Sequence, residues 1–167
     1  MPNFLKTNKT KISFQNRSVT LKGVNFGGWL MMEAYILHAP NSAERLFKKN
    51  FANVLGKQAL EEFEKAFRAN FISEDDFKNV KTLGFNCIRI PFNCRLVETS
   101  PYKYDKHGLS YLDQVISWAK KNKIWIILDL HAAPGAQNHD WHSDSMGKAE
   151  LWTSQSNQKR VFALWEF

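Results

Sequence analysis

The stretch Ile124–Asp140, IWIILDLHAAPGAQNHD, decides the fold. Six apolar or aromatic residues come almost without interruption, which is typical of a strand buried on both faces in a helix-covered parallel sheet. A dense group of polar residues follows, beginning at Asp129 and His131. In α/β proteins, ligands bind outside the carboxyl ends of parallel strands, on the loops that lead into the next helix. The stretch therefore predicts an α/β enzyme with its site at the end of this strand.

The rest of the chain alternates between strand and helix patterns. Besides the strand that opens this stretch, the patterns predict strands at Val24–Leu30 and Asn86–Phe92. They predict helices at 41–83, Ser110–Asn122 and Gln158–Phe167. Within the longest helical region, Ser73 is expected to cap a helix with Asp76 at its third position, and Gly84 to end it. This order of strands and helices predicts an α/β fold with right-handed crossovers.

Both ends of the chain carry information about its extent. The alternating segment Lys11–Lys22 predicts a small hairpin ahead of the main fold. The last helix reaches Phe167 with its apolar period still running and without a terminating signal. Three parallel strands do not close a barrel, since closure takes about eight. We therefore expect residues 1–167 to be the N-terminal part of one domain whose C-terminal part is missing.

Composition narrows the class of protein. The chain has 167 residues, of which 44% are hydrophobic and 23% charged, so it can bury a core and is not expected to be disordered. Its net charge is +7, but the lysines are scattered and form no dense basic run with interleaved aromatic residues. We interpret the charge as a solvated basic surface and expect no nucleic-acid partner.

Targeting signals and cysteines point to the cytoplasm. The N-terminal segment has lysines but lacks the apolar core of a signal peptide, and no run reaches the roughly eighteen apolar residues of a membrane span. Cys87 and Cys94 would lie roughly 20 Å apart on an extended chain, too far for a disulfide without a sharp reversal. We expect free thiols, a cytoplasmic protein and no membrane partner, with secretion by another route left open.

The first two predicted strands each contain a residue of an unusual kind. The first continues into GVNFGGWLMMEAY, where Gly27 and Gly28 permit a close backbone approach and Glu33 follows at the rim. A simple glycine kink with a surface glutamate is an equal alternative. The second strand places Arg89 between two isoleucines, and a buried arginine must be paired. It either forms a structural salt bridge or keeps a catalytic carboxylate ionised. We expect that carboxylate to come from outside residues 1–167.

The third strand ends in DLHAAPGAQNHDWHSD. Asp129 and His131 are two positions apart and so face the same side of the sheet. A metal site is a rival interpretation, because histidine and carboxylates are common ligands. Their spacing matches no mechanistic metal motif such as HExxH, so a metal is not favoured. A lone core histidine is usually structural, but His131 stands at a strand end before a polar loop.

Three segments taken together resemble the N-terminal part of family 5 glycoside hydrolases: GVNFGGWLMMEAY, FNCIRIPF and LDLHAAPGAQN. The similarity extends over about residues 20–167 and is strongest to the branch with fungal exo-β-1,3-glucanases and related endoglucanase-like bacterial enzymes. It implies a (β/α)8 barrel, of which this chain would form about three βα units. It also implies retaining hydrolysis of β-glucosidic bonds without a cofactor. Ala132, where the fungal enzymes have glycine, and the stretch HDWHSD depart from the family pattern.

The resemblance also implies roles for residues that match the family motifs. Glu33 would hydrogen-bond the sugar in the subsite before the scissile bond, and His131 would contact hydroxyls of the same sugar. Arg89 would support the nucleophile, and Asn138 would hold its loop or touch the sugar. The further substrate-binding candidates are Tyr35, Asp140 and Trp141.

The catalytic residues themselves are not expected within this chain. In the family, the acid/base and the nucleophile are glutamates at the ends of the fourth and seventh strands. Glu33 and Asp140 are conceivable substitutes, but no local feature separates their pKa values as acid and nucleophile roles demand. We favour sugar-binding roles for both. The implied partners are a β-glucan, oligosaccharide or glucoside and the C-terminal part of the barrel.

Two other functions stay open from the sequence. One is a non-catalytic carbohydrate-binding or interaction protein that keeps half of a barrel, and the other is a metal-dependent barrel hydrolase. The sequence also does not distinguish β-1,3-glucan, β-1,4-glucan, a glycolipid and a small glucoside, because the loops that discriminate them come later in such folds.

Overall fold

The structure, a computed structural model, describes residues 4–167. Its strands are β1 (Lys6–Asn8), β2 (Lys11–Phe14), β3 (Arg17–Ser18), β4 (Gly23–Asn25), β5 (Cys87–Asn93), β6 (Glu98–Ser100), β7 (Lys103–Tyr104) and β8 (Trp125–Ala132). Its helices are α1 (Glu44–Leu55), α2 (Lys57–Phe71), α3 (Glu74–Thr82), α4 (Cys94–Val97), α5 (Lys106–Asn122) and α6 (Gln155–Glu166). A 3-10 turn covers Trp141–Ser143.

A parallel sheet with the order β4-β5-β8 forms the centre of the fold. Helices α1–α3 connect β4 to β5, helix α5 lies between β5 and β8, and α6 follows β8. The pairing places Asn25 beside Arg89, and Arg89 beside Ile127. The predicted α/β class is confirmed: the chain forms three βα units of a partial (β/α)8 barrel.

Strand β4 is shorter than predicted. The ladder ends at Asn25, and Leu30 returns only for an isolated bridge to Phe92. Between them, Gly28 has a φ of +77°, a left-handed conformation that turns the chain out of the ladder. The buried residues Trp29 and Leu30 therefore pack into the core from a turn and not from a strand.

The helices follow the capping signals of the sequence. The predicted cap at Ser73 is confirmed, because Asp76 accepts the Ser73 backbone N–H at 2.7 Å. Gly84 has the expected left-handed conformation after α3, with a φ of +84°. Helix α5 begins before the predicted Ser110, since Asp105 accepts the His107 N–H at 2.9 Å and caps the helix there.

The core lies between the sheet and the helices. Its largest fully buried side chains on β5 and the adjoining helices are Phe77, Ile88, Ile90, Phe92 and Val115. Strand β8 is mostly half-buried, contrary to the prediction of burial on both faces, and Ile127 is 44% exposed. The physical reason is that residues 4–167 place no further strands opposite the inner face of β8.

The N-terminal segment forms an antiparallel sheet separate from the parallel sheet. Strand β2 pairs antiparallel with both β1 and β3, so the Lys11–Lys22 region is part of a three-stranded meander.

Cys87 and Cys94 are both buried free thiols, and burial raises the pKa of Cys94 to about 12. Across the described residues, every helix is too short or too polar to cross a membrane.

Candidate functional site

Four charged side chains meet on one face of the parallel sheet, toward its carboxyl end. Arg89 extends from β5, Asp129 and His131 from β8, and Glu33 from the loop after β4. Arg89 Nη2 lies 2.6 Å from Asp129 Oδ2, which lies 2.9 Å from His131 Nδ1. On the other side of the imidazole, Nε2 lies 3.5 Å from Glu33 Oε1. We call these four residues the charged network.

Arg89 has its carboxylate partner within this chain. The prediction that a strand arginine must be paired is confirmed, because Asp129 on the neighbouring strand supplies a carboxylate. The expected carboxylate from outside residues 1–167 stays a prediction. The other guanidinium nitrogen, Nη1, donates to Asn25 Oδ1 at 2.9 Å. The planar fork thus joins all three strands, and its geometry is one that a lysine could not reproduce.

Glu33 is a buried residue and not the rim residue expected from the sequence. It is only 3% exposed. Its Oε1 accepts from the Tyr35 hydroxyl at 3.3 Å, whereas Oε2 has no hydrogen-bond partner in the described part of the chain. A Cβ on Gly27 would lie 2.8 Å from Oε2 and 2.8 Å from Asn25 Nδ2, so the glycine makes room for this carboxylate.

The electrostatics favour a charged pair between Glu33 and His131. Burial, the largest single effect, would raise the pKa of Glu33, but the imidazole of His131 together with the Gly28 backbone and the Tyr35 hydroxyl lowers the pKa below its ordinary value. The contact with Glu33 raises the pKa of His131, against the effect of burial, and Asp129 adds to the rise while Arg89 opposes it. An ionised carboxylate that accepts and an imidazolium that donates are suited to binding neighbouring hydroxyl groups.

Aromatic side chains flank the charged network. The rings of Tyr35 and Trp141 lie 5.7 Å apart in an edge-to-face arrangement. The His142 ring lies 6.0 Å from that of His131 and 5.8 Å from that of Trp141. Flat apolar faces beside charged hydrogen-bonding groups are suited to a ligand that has both C–H surfaces and hydroxyls.

The loop after β8 brings the remaining predicted residues close to the site. Asn138 Oδ1 accepts from the Asp140 backbone N–H at 2.9 Å and from the Ser143 hydroxyl at 2.8 Å, so the side chain holds the loop. Gln137 donates to the His131 carbonyl and fixes the start of the loop. Asp140 is exposed and lies outside the charged network; its side chain approaches His142 at 3.5 Å.

The family is shown by comparison with known proteins. The family model for cellulases of glycosyl hydrolase family 5 matches residues 48–166. The chain belongs to glycosyl hydrolase family 5. A β-xylosidase of Phanerodontia chrysosporium is 40% identical over 98% of this chain, and a glucan 1,3-β-glucosidase of Lachancea kluyveri is 32% identical over 90%. These matches cover 35% and 36% of the two proteins, so the chain spans about a third of their length.

Solved structures agree with the partial barrel of this family 5 chain. The rutinosidase from Aspergillus niger superposes with a TM-score of 0.71 at 20% identity. The superposition covers 86% of this chain and 42% of the rutinosidase. At this identity the likeness shows the fold alone.

Two members of the family 5 site were not assigned from the sequence. Asp129 was placed on the same face as His131, but its role as the partner of Arg89 required the register in which Arg89 lies beside Ile127. Ile127 and Asp129 then share one face because strand side chains alternate. His142 has no signal of its own, since its approach to His131 depends on how the loop folds.

Metal ligation finds no support in the geometry of this family 5 site. Among residues 4–167, no three histidine, cysteine, aspartate or glutamate side chains are grouped so that they could hold a metal ion. The acidic and imidazole groups of the charged network are instead used in contacts with one another and with Arg89.

The pair between Glu33 and His131 is expected to make stability depend on pH. The lowered pKa of Glu33 gives stability that is present above its ordinary pKa of 4.5 and is lost as pH falls through the folded value. The raised pKa of His131 gives stability that is fully present below its ordinary pKa of 6.5 and is lost as pH rises through the folded value. The pair should therefore stabilise the folded protein most between pH 4.5 and pH 6.5.

Thermal unfolding of a Glu33→Gln variant, measured with the remaining strands of the barrel present, tests this expectation. The Tm deficit relative to the unchanged protein should be larger near pH 6 than near pH 9. Asp75→Asn, which removes an exposed pair with Lys78, is the control and should show the same deficit at both pH values. An equal deficit for Glu33→Gln at both pH values contradicts a charged pair.

Proposed function

We propose that this chain supplies the sugar-binding part of a β-glycosidase that hydrolyses β-glucosidic bonds in a glucan, oligosaccharide or glucoside. The single observation that carries the proposal is the charged network of Glu33, Arg89, Asp129 and His131 beside the rings of Tyr35 and Trp141. Membership of family 5 and relatives named glucan 1,3-β-glucosidase support it.

The remaining strands of the barrel are the proposed partner. A retaining mechanism needs two carboxyl groups about 5–5.5 Å apart on either side of the scissile bond. In the described residues, Glu33 contacts His131 and Asp129 contacts Arg89, whereas Asp140 is exposed and lies outside the charged network. We therefore place both catalytic glutamates outside this chain. We call this chain together with the segment that supplies the remaining strands the complete barrel.

Each residue of the site then has a defined task. Oε2 of Glu33 is buried, so a sugar hydroxyl would donate to Oε1, which also accepts from the Tyr35 hydroxyl. The long 3.5 Å contact between His131 Nε2 and Glu33 leaves the imidazole N–H able to donate to the same sugar. Arg89 and Asp129 fix the ring of His131, because Asp129 bonds Nδ1 and Arg89 bonds Asp129. The rings of Tyr35 and Trp141 would cover the apolar face of the pyranose.

The decisive experiment is hydrolysis by the complete barrel. We expect release of the aglycone from an aryl β-glucoside, cleavage of a β-1,3-linked oligosaccharide, and a first product with the β configuration in NMR. An aryl β-xyloside belongs in the same assay, because a β-xylosidase is among the relatives. An aryl α-glucoside is the control and should not be cleaved. A folded complete barrel that cleaves none of the β-glycosides, or that inverts the anomeric carbon, overturns the proposal.

A further inference from the structure

Helix α1 begins without a cap of its own. Its N-cap residue is Ala43, which has no side-chain acceptor. The N–H of Arg45, two positions on, is instead bonded by Asp144 Oδ1 at 2.8 Å, from 99 residues away in the sequence. A carboxylate at this place satisfies a free helix N–H and interacts favourably with the helix dipole. The loop after β8 thus provides the cap for a helix after β4.

Asp144 is fixed more firmly than a surface cap would be. The residue is 4% exposed, and its Oδ2 accepts from Arg95 Nε at 3.1 Å. The Arg45 guanidinium also donates to the Asp144 backbone carbonyl. Asp144 directly follows the 3-10 turn Trp141–Ser143, and its backbone N–H donates to the Trp141 carbonyl at 2.9 Å. The position of Trp141 is therefore coupled to the position of this carboxylate.

The same helix end also holds the other loop of the site. Glu44, the first residue of α1, is 3% exposed, and its Oε2 accepts from the Met32 backbone N–H at 3.1 Å. The same oxygen accepts from Asn93 Nδ2 at 3.1 Å, at the end of β5. Met32 directly precedes Glu33. The first turn of α1 is thus the place where the loop that carries Glu33 and the loop that carries Trp141 are joined.

We propose that Asp144 is a positioning residue for sugar binding, which acts by capping α1 and so holding Trp141 and His142 against Tyr35 and His131. This inference rests on the proposed function. Because Asp144 acts through side chains that would cover the sugar, its loss should weaken substrate binding and leave the chemical step largely intact.

The test compares Asp144→Ala and Asp144→Asn in the complete barrel. Asp144→Ala removes the cap and the ion pairs, and KM for an aryl β-glucoside should rise about tenfold while kcat changes less than about twofold. Asparagine caps a helix about as well as aspartate, so Asp144→Asn should recover most of the affinity and raise KM less than about threefold. Because asparagine has the shape of aspartate but no charge, this rescue separates the effect of capping from the effect of charge.

Glu98 provides a matched control. It is also 4% exposed and also bonds an arginine, since it accepts from Arg160 at 2.7 and 3.2 Å, but it joins β6 to α6 and leaves the Trp141 turn untouched. Glu98→Ala should lower Tm as Asp144→Ala does, with KM unchanged. If both variants raise KM equally, or neither does, Asp144 has no positioning role.

Amide hydrogen exchange gives a readout that does not need activity. Exchange across residues 138–147 should become faster in Asp144→Ala, and stay unchanged in Glu98→Ala. Equal exchange in both variants overturns the inference even if the enzyme is active. An unchanged protein that cleaves no glycoside overturns the proposed function instead, while the exchange result still decides whether Asp144 holds the loop.

Discussion

His131→Ala in the complete barrel is expected to lower kcat/KM for an aryl β-glucoside by on the order of tenfold to a thousandfold. Asp129 holds the imidazole at Nδ1, and Glu33 approaches Nε2 at 3.5 Å. Removing it takes away a donor to the sugar and leaves Glu33 buried without its counter-charge. An interaction that tightens in the transition state should lower kcat together with kcat/KM, which steady-state kinetics will show.

The control for this variant is a histidine outside the site. His107→Ala removes an imidazole that contacts Tyr111 at the start of α5, and it should leave kcat/KM unchanged. Thermal unfolding of both variants shows whether the fold survives. If His131→Ala unfolds while the folded fraction that survives keeps normal activity, then His131 is a structural residue and its proposed contact with the sugar is wrong.

The second large effect concerns the 167 residues expressed alone, which we expect to show no glycosidase activity. Glu33 and Asp129 are paired within the charged network, and Asp140 is exposed outside it, so we expect no two of them to serve as acid and nucleophile. Ile127 on the inner face of the sheet and Trp165 and Phe167 at the last helix are exposed. Such apolar surface beside an open strand edge favours association between chains.

Light scattering and an assay with an aryl β-glucoside test this expectation together. The chain alone should form oligomers or aggregates and release no aglycone, whereas the complete barrel should be active under the same conditions. A monodisperse monomer that unfolds cooperatively and cleaves the β-glucoside contradicts both the incomplete barrel and the placement of the glutamates outside this chain.

The sequence was most informative where structure is local. The apolar runs predicted β5 and β8, and the capping residues at Ser73 and Asp76 predicted the start of α3, because these signals act over a few residues. The strand before Glu33 was predicted too long, since the left-handed turn at Gly28 ends the ladder early. A glycine permits such a turn but does not require it.

The parts of the site that depend on distant residues were less predictable. Arg89 was known to need a partner, but the choice of Asp129 depends on strand register and not on spacing along the chain. The cap that Asp144 gives to α1 joins residues 99 positions apart, and no local pattern indicates it. The burial of Glu33 likewise follows from the turn at Gly28, which the sequence only allows.

The missing side chain at position 27 sets a limit for protein engineering. Asn25, which bonds Arg89, and Glu33, which contacts His131, approach the same small space above Gly27 from opposite ends of the charged network. A Cβ at this position would lie too close to the side chains of both Asn25 and Glu33. Libraries that aim to change sugar preference should therefore vary the outer aromatic residues and keep this position fixed, because a Cβ here would displace side chains at both ends of the charged network.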